Sequence, residues 1–103
     1  MTVRWKQAAL DTREQLLGMA LQRAIDAEDP AIYKAACAAD EQIQLQGDAL
    51  DGVAIYKPGP ISGTRLYICQ GGKYLLIYSR EGDEVQILHV APAQSNWEGA
   101  GKV

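Results

Sequence analysis

His89 is the only imidazole in this chain of 103 residues, so any proton transfer by histidine near neutral pH has to pass through it. Together with Arg65, Arg80 and Lys57 it makes the set an RNA-cleaving site would use: a base for a 2′-hydroxyl proton and cations for the charge that builds on phosphorus. A second set joins rings to polar tips. Arg65, Tyr67, Tyr74, Tyr78, His89 and Trp97 suit burial by a protein partner, because such side chains supply contact area and keep a hydrogen-bonding handle. The same composition also fits a core face with polar tips at its margin. There is no Gly-rich phosphate loop, no His or Cys ligand pair, no Gly-x-Ser-x-Gly turn and no carboxylate pair on an evident cleft, so no metal and no organic cofactor is expected.

These residues have to be positioned by strands. Ser62 to Cys69, Tyr74 to Ser79 and Glu84 to Ala91 are rich in β-branched and aromatic residues and are bounded by turn formers, which predicts three consecutive antiparallel strands. Gln70-Gly71-Gly72-Lys73 and Glu81-Gly82-Asp83 provide the glycines that tight turns between them require. Alternation divides the strands into two faces. Leu66, Ile68, Leu75, Ile77, Leu88 and Val90 form an aliphatic set, expected to pack on helices. Arg65, Tyr67, Cys69, Tyr74, Leu76, Tyr78, Ile87 and His89 form the other, expected to meet a partner, with His89 beside Arg65.

The first half supplies the helices. Leu10, Leu16, Leu17, Ala20, Leu21, Ala24 and Ile25 recur at helical spacing and predict an amphipathic helix from Ala8 to about Glu28. Asp29-Pro30 then reads as an N-cap followed by a first-turn proline, opening a second helix with Ile32, Ala36, Ala39 and Ile43 on one face. The product is a helical hairpin laid across the sheet. Thr2 to Trp5 is a short strand ahead of it, and Gly47 to Pro60 is the one long connection. The fold class is therefore α+β in the order β-α-α-β-β-β. Residues 1–98 form one domain and residues 99–103 a flexible tail.

Charge limits the partners. The chain has a formal net charge of −3 and a pI near 5.0. Residues 1–51 hold five Lys or Arg against nine Asp or Glu, whereas residues 52–103 hold five against four. Affinity for a phosphate backbone rests on neutralising several phosphates, so sequence-specific DNA binding is not expected. No run approaches the roughly 20 apolar residues of a membrane span and no charged-then-apolar leader precedes Trp5, so a cytoplasmic protein without a membrane partner is expected. Cys37 and Cys69 fall on a helix and a strand and are expected to be reduced core thiols.

Gly63-Thr64-Arg65-Leu66-Tyr67-Ile68, Lys73-Tyr74-Leu75-Leu76-Ile77-Tyr78, Val85-Gln86-Ile87-Leu88-His89-Val90 and the Trp97 tail resemble the closing strands of the RelE/ParE superfamily of bacterial type II toxins. The motifs cover about the last 45 residues, and element order covers the rest. Leu66, His89, Pro92 and Glu98 stand where the superfamily commonly has Glu, Arg, His and Pro. Leu75 replaces an Arg frequent after the tyrosine of the corresponding strand. The resemblance implies a toxin in a hetero-oligomer with a cognate antitoxin. Its ParE branch implies binding and inhibition of DNA gyrase, the reading that an acidic chain with a thin cationic cluster favours. Its RelE branch implies ribosome-dependent cleavage of messenger RNA by Arg65, His89, Arg80 and Lys57. A degenerate member kept for complex formation alone is a third possibility. Partner contacts are expected from Arg65, Tyr67, Tyr74, Tyr78, His89 and Trp97, and from the groove of the helical hairpin.

Overall fold

A computed structural model describes residues 2–53, 55–69 and 73–93. Strand β1 (Thr2–Trp5) leads into helix α1 (Gln7–Asp26), which turns into the antiparallel helix α2 (Pro30–Asp48). A 3-10 turn (Leu50–Gly52) and a two-residue strand β2 (Lys57–Pro58) precede the meander β3 (Arg65–Cys69), β4 (Tyr74–Glu81) and β5 (Glu84–Pro92). The α+β class and the order of helices and main strands are as the sequence predicts. The sheet is mixed, however: its order is β1-β5-β4-β3-β2, with β1 parallel to β5 and the other neighbours antiparallel. β2 runs beside only Arg65 and Leu66, so the outer edge of β3 from Tyr67 to Cys69 has no neighbouring strand among the described residues.

Local chemistry explains the boundaries. The Asp29 carboxylate accepts a 3.0 Å hydrogen bond from the Ala31 amide, and Pro30 occupies the first turn, so α2 starts where an exposed N–H would otherwise go unpaired. Gly82 takes φ +58° in the β4–β5 turn, which only a residue without Cβ adopts freely. The Gly71-Gly72 turn and the tail from Gln94, including Trp97 and the 99–103 segment, lie outside the described residues.

The hairpin is fixed to the sheet through Trp5. Its indole Nε1 donates to Asp48 Oδ1 at 2.8 Å. Its ring occupies the space above Gly47, where a Cβ would lie 2.4 Å from the Trp5 Cζ2. Gly47 is thus a contact in the last turn of α2, whereas the sequence reading made it the start of a loop. Arg13 of α1 completes the junction by pairing with Asp40 and Gln44 of α2 and covering the Trp5 ring.

The core overturns the expected assignment of the two sheet faces. Tyr78, Cys69, Leu76, Val85, Ile87 and Val90 are buried in one cluster with Ala9, Ile43 and Leu50, and Tyr67, Tyr74 and Trp5 pack against it. The helices therefore cover the aromatic face. The reason lies in complementary size: the hairpin offers mostly small side chains, including Ala9, Ala20, Ala24, Ala36 and Ala39, and only bulky sheet residues fill the gap to close-packed density. On the reverse face Leu75, Ile77 and Ala91 are also buried, so β4 is sealed on both sides. The α1 stripe is narrower than predicted, because Leu10, Leu21 and Ile25 are exposed.

One β-bulge rearranges β5. Tyr78 pairs with Ile87 but Ile77 pairs with His89, so Leu88 has no opposite number. The extra residue reverses the alternation beyond it. Val90 consequently joins the helix side, and His89 lies on the reverse face beside Ile77.

Candidate functional site

Arg65, Tyr56, Tyr78 and Arg80 gather where β3 and β4 meet the connection after the 3-10 turn. Strand pairing sets three of them. Arg65 lies opposite Tyr78, and Arg80 lies two residues further along β4 on the same face. Tyr56 arrives from the loop and stacks on Arg65, with the guanidinium carbon 3.7 Å from the ring centroid, a cation–π contact that orients both groups. Arg80 has a structural task. It donates through Nη1 to the carbonyls of Asp51 at 3.1 Å and Val53 at 3.4 Å, and through Nε to that of Gly82 at 3.1 Å.

Tyr78 is 1% exposed, and its hydroxyl has no hydrogen-bond partner among the described residues. Burial pushes its pKa above the ordinary tyrosine value. Arg65 and Arg80 oppose that rise by favouring the phenolate, and Arg65 lies close to the hydroxyl without the alignment of a good hydrogen bond. The hydroxyl is thus a protonated donor at neutral pH, beside a guanidinium that stacks on Tyr56.

The nuclease set does not converge. Arg65 and Arg80 share the helix-side face, but Arg80 is committed to backbone carbonyls. Lys57 pairs with Leu66 and His89 with Ile77, which puts both on the reverse face. His89 is therefore not beside Arg65, contrary to the sequence reading, and the bulge at Leu88 is the cause. Both Arg65 and His89 remain half-buried, so neither is sealed from solvent. Among the expected partner contacts, Tyr78 is buried while Tyr67 and Tyr74 are half-buried at the margin of the core. No group of His, Cys, Asp and Glu among the described residues is arranged to hold a metal ion.

Apolar surface stays open among the described residues. Val53, Ile55, Tyr56, Leu66, Tyr67 and Ile68 line a groove along the unpaired edge of β3, with Ile55 90% exposed. Leu21, Ala24, Ile25, Pro30 and Tyr33 line another at the loop end of the hairpin. The sequence reading passed over Tyr56 and Ile55. The signal was present: two bulky residues side by side in a connection otherwise marked by Gly and Pro.

Both cysteines are free thiols; Cys69 is buried in the core as expected, whereas Cys37 on α2 is only half-buried. Burial pushes Cys69 up to about 11, which leaves it protonated and unreactive at neutral pH. No helix among the described residues is long and apolar enough to cross a membrane.

No protein-family model matches the chain, and no curated protein matches it in sequence. Among solved structures it is similar to the chain described as "Chromosomal ParDE TA system from P. aeruginosa", at 19% identity and a TM-score of 0.71, over 89% of this chain and 95% of that one. The likeness establishes that this chain has a ParE-like fold.

Proposed function

We propose that this protein is the toxin component of a type II toxin–antitoxin system, which acts by binding a macromolecular target such as DNA gyrase and is silenced by a cognate antitoxin. The fold supports the system, since the similar solved chain comes from a toxin–antitoxin pair. The observation that carries binding over RNA cleavage is the dispersal of the nuclease set: Lys57 and His89 sit on one face, Arg65 and Arg80 on the other. Cleavage needs a base and charge-stabilising cations around the same phosphate, within hydrogen-bond reach of the reacting atoms. An acidic chain also lacks the charge density that attracts an RNA backbone.

The antitoxin contacts the open edge of β3 and its groove. An added strand there would satisfy the unpaired backbone groups while its side chains cover Ile55, Tyr56 and Ile68. Expression of the chain alone in a bacterium should arrest growth, and co-expression with its cognate antitoxin should restore growth. Supercoiling by purified gyrase should fail on addition of the chain. Normal supercoiling together with fresh cuts in translated messages would replace this reading with the nuclease one.

A further inference from the structure

We propose that Arg65 and Tyr78 form a binding site for a carboxylate, presented as an Asp or Glu side chain by the protein partner; the identity of that source rests on the toxin–antitoxin reading. The first observation is the Tyr78 hydroxyl, buried and without a hydrogen-bond partner among the described residues. Buried hydroxyls are nearly always satisfied, and one left alone in a fold points to a group that arrives later.

The second observation is the state of Arg65. Stacking on Tyr56 occupies one face of its guanidinium, and among the described residues its N–H groups have only the poorly aligned approach to the Tyr78 hydroxyl. Those donors point in the plane of the group, where two parallel N–H bonds match the two oxygens of a carboxylate. The site offers only donors: the Arg65 fork and a phenol held protonated at neutral pH. Arg80 adds a second positive charge nearby, with its Nε and Nη1 donors engaged by the carbonyls of Gly82, Asp51 and Val53. Such a site selects an anion. A single guanidinium fork plus one hydroxyl fits a carboxylate, whereas a phosphate backbone calls for several converging cations, and Lys57 lies on the other face. The neighbouring groove of Val53, Ile55, Tyr56, Leu66, Tyr67 and Ile68 receives the apolar residues that flank the acid.

The test is an NMR titration of the purified chain with sodium acetate at constant ionic strength, with sodium chloride as reference, following the Arg65 Nε–H and Tyr78 ring signals. Acetate is expected to shift both saturably. Tyr78→Phe, which loses one charge-assisted donor, should raise the apparent Kd about tenfold. Arg65→Lys, which keeps the charge but not the fork, should abolish saturation; amide spectra of both variants confirm that they fold. Absence of a saturable shift overturns the proposal. Shifts that both variants leave intact, an adventitious ion only, overturn it too, and tighter binding of inorganic phosphate than of acetate would reassign the site to nucleic acid. The titration contains no antitoxin, so failure of the toxin reading leaves its result standing, and growth rescue without an acetate effect removes this site alone.

Discussion

Arg13 and Asp40 meet across the two helices in a two-point contact, Nε to Oδ1 at 2.8 Å and Nη2 to Oδ2 at 3.0 Å, and the same guanidinium lies 4.5 Å from the centroid of the Trp5 ring. Their side chains are only 11% and 21% exposed. A pair so placed behaves differently from Arg4 and Glu84, whose 2.8 Å contact is 68% and 38% exposed. Removing one partner at the first site strands a charge; at the second, water takes over.

Arg13→Ala is accordingly expected to destabilise the fold by about 2–3 kcal/mol, since it leaves Asp40 partly buried and uncovers Trp5. Arg4→Ala should cost no more than about 0.5 kcal/mol. Urea denaturation of the two variants checks the ranking. Equal losses would mean that the helix junction contributes no more than an ordinary surface contact.

Gly47→Ala should be as damaging as a core substitution, although it adds a single methyl group. The new carbon would lie 2.4 Å from Trp5 Cζ2 and 2.7 Å from Cη2, and the Trp5 ring is held by its bond to Asp48. Overpacking of this kind costs about 1–3 kcal/mol. Trp5→Leu in the Gly47→Ala background should recover part of the loss, a coupling that a double-mutant cycle measures. No recovery would show that the strain lies elsewhere.

Stability should fall in alkali earlier than ionisation of ordinary surface groups predicts. Burial raises the Cys69 thiol from 9.0 to about 11, so between those values the unfolded chain has lost its proton and the folded one has kept it. The folded state then binds more protons than the unfolded state, and stability drops as pH rises through that window, while below pH 9 the full contribution is present. Tyr78 acts in the same sense above the ordinary tyrosine range, because its pKa is also raised by burial. Cys69→Val should flatten the decline, as followed by thermal midpoints across the alkaline range. An unchanged slope would place the responsible groups outside the core.

Which parts of this molecule could be read from its residues follows from the range of the interactions involved. Asp29-Pro30 marks the start of α2 because capping is settled within a few residues, and Gly82 marks its turn for the same reason. The meander was equally plain in its period-two runs. The orientation of the sheet was not, because alternation separates two faces without saying which one the helices take. That choice depends on the small side chains of α1 and α2, tens of residues away, needing Tyr67, Tyr74 and Tyr78 to fill the space beneath them. His89 was misplaced for a different reason. Val85-Gln86-Ile87-Leu88-His89-Val90 is all strand-forming, with no glycine to announce a bulge, so the inserted residue appears only in the pairing with β4. The Arg65–Tyr56 stack joins a strand to an irregular connection, where no period exists to be followed.

The bare flank of β3 has a bearing on how the protein is made. The edge of β3 from Tyr67 to Cys69 that faces away from β4 has no neighbouring strand among the described residues and lies next to the hydrocarbon of Ile55 and Ile68, a template onto which an extended chain can zip. Molecules synthesised in isolation have each other as the most abundant source of such chains, so solitary overproduction invites clumping into insoluble stacks. A companion strand laid along this flank should therefore keep the product dispersed, so soluble yield is expected to rise when such a partner is co-expressed.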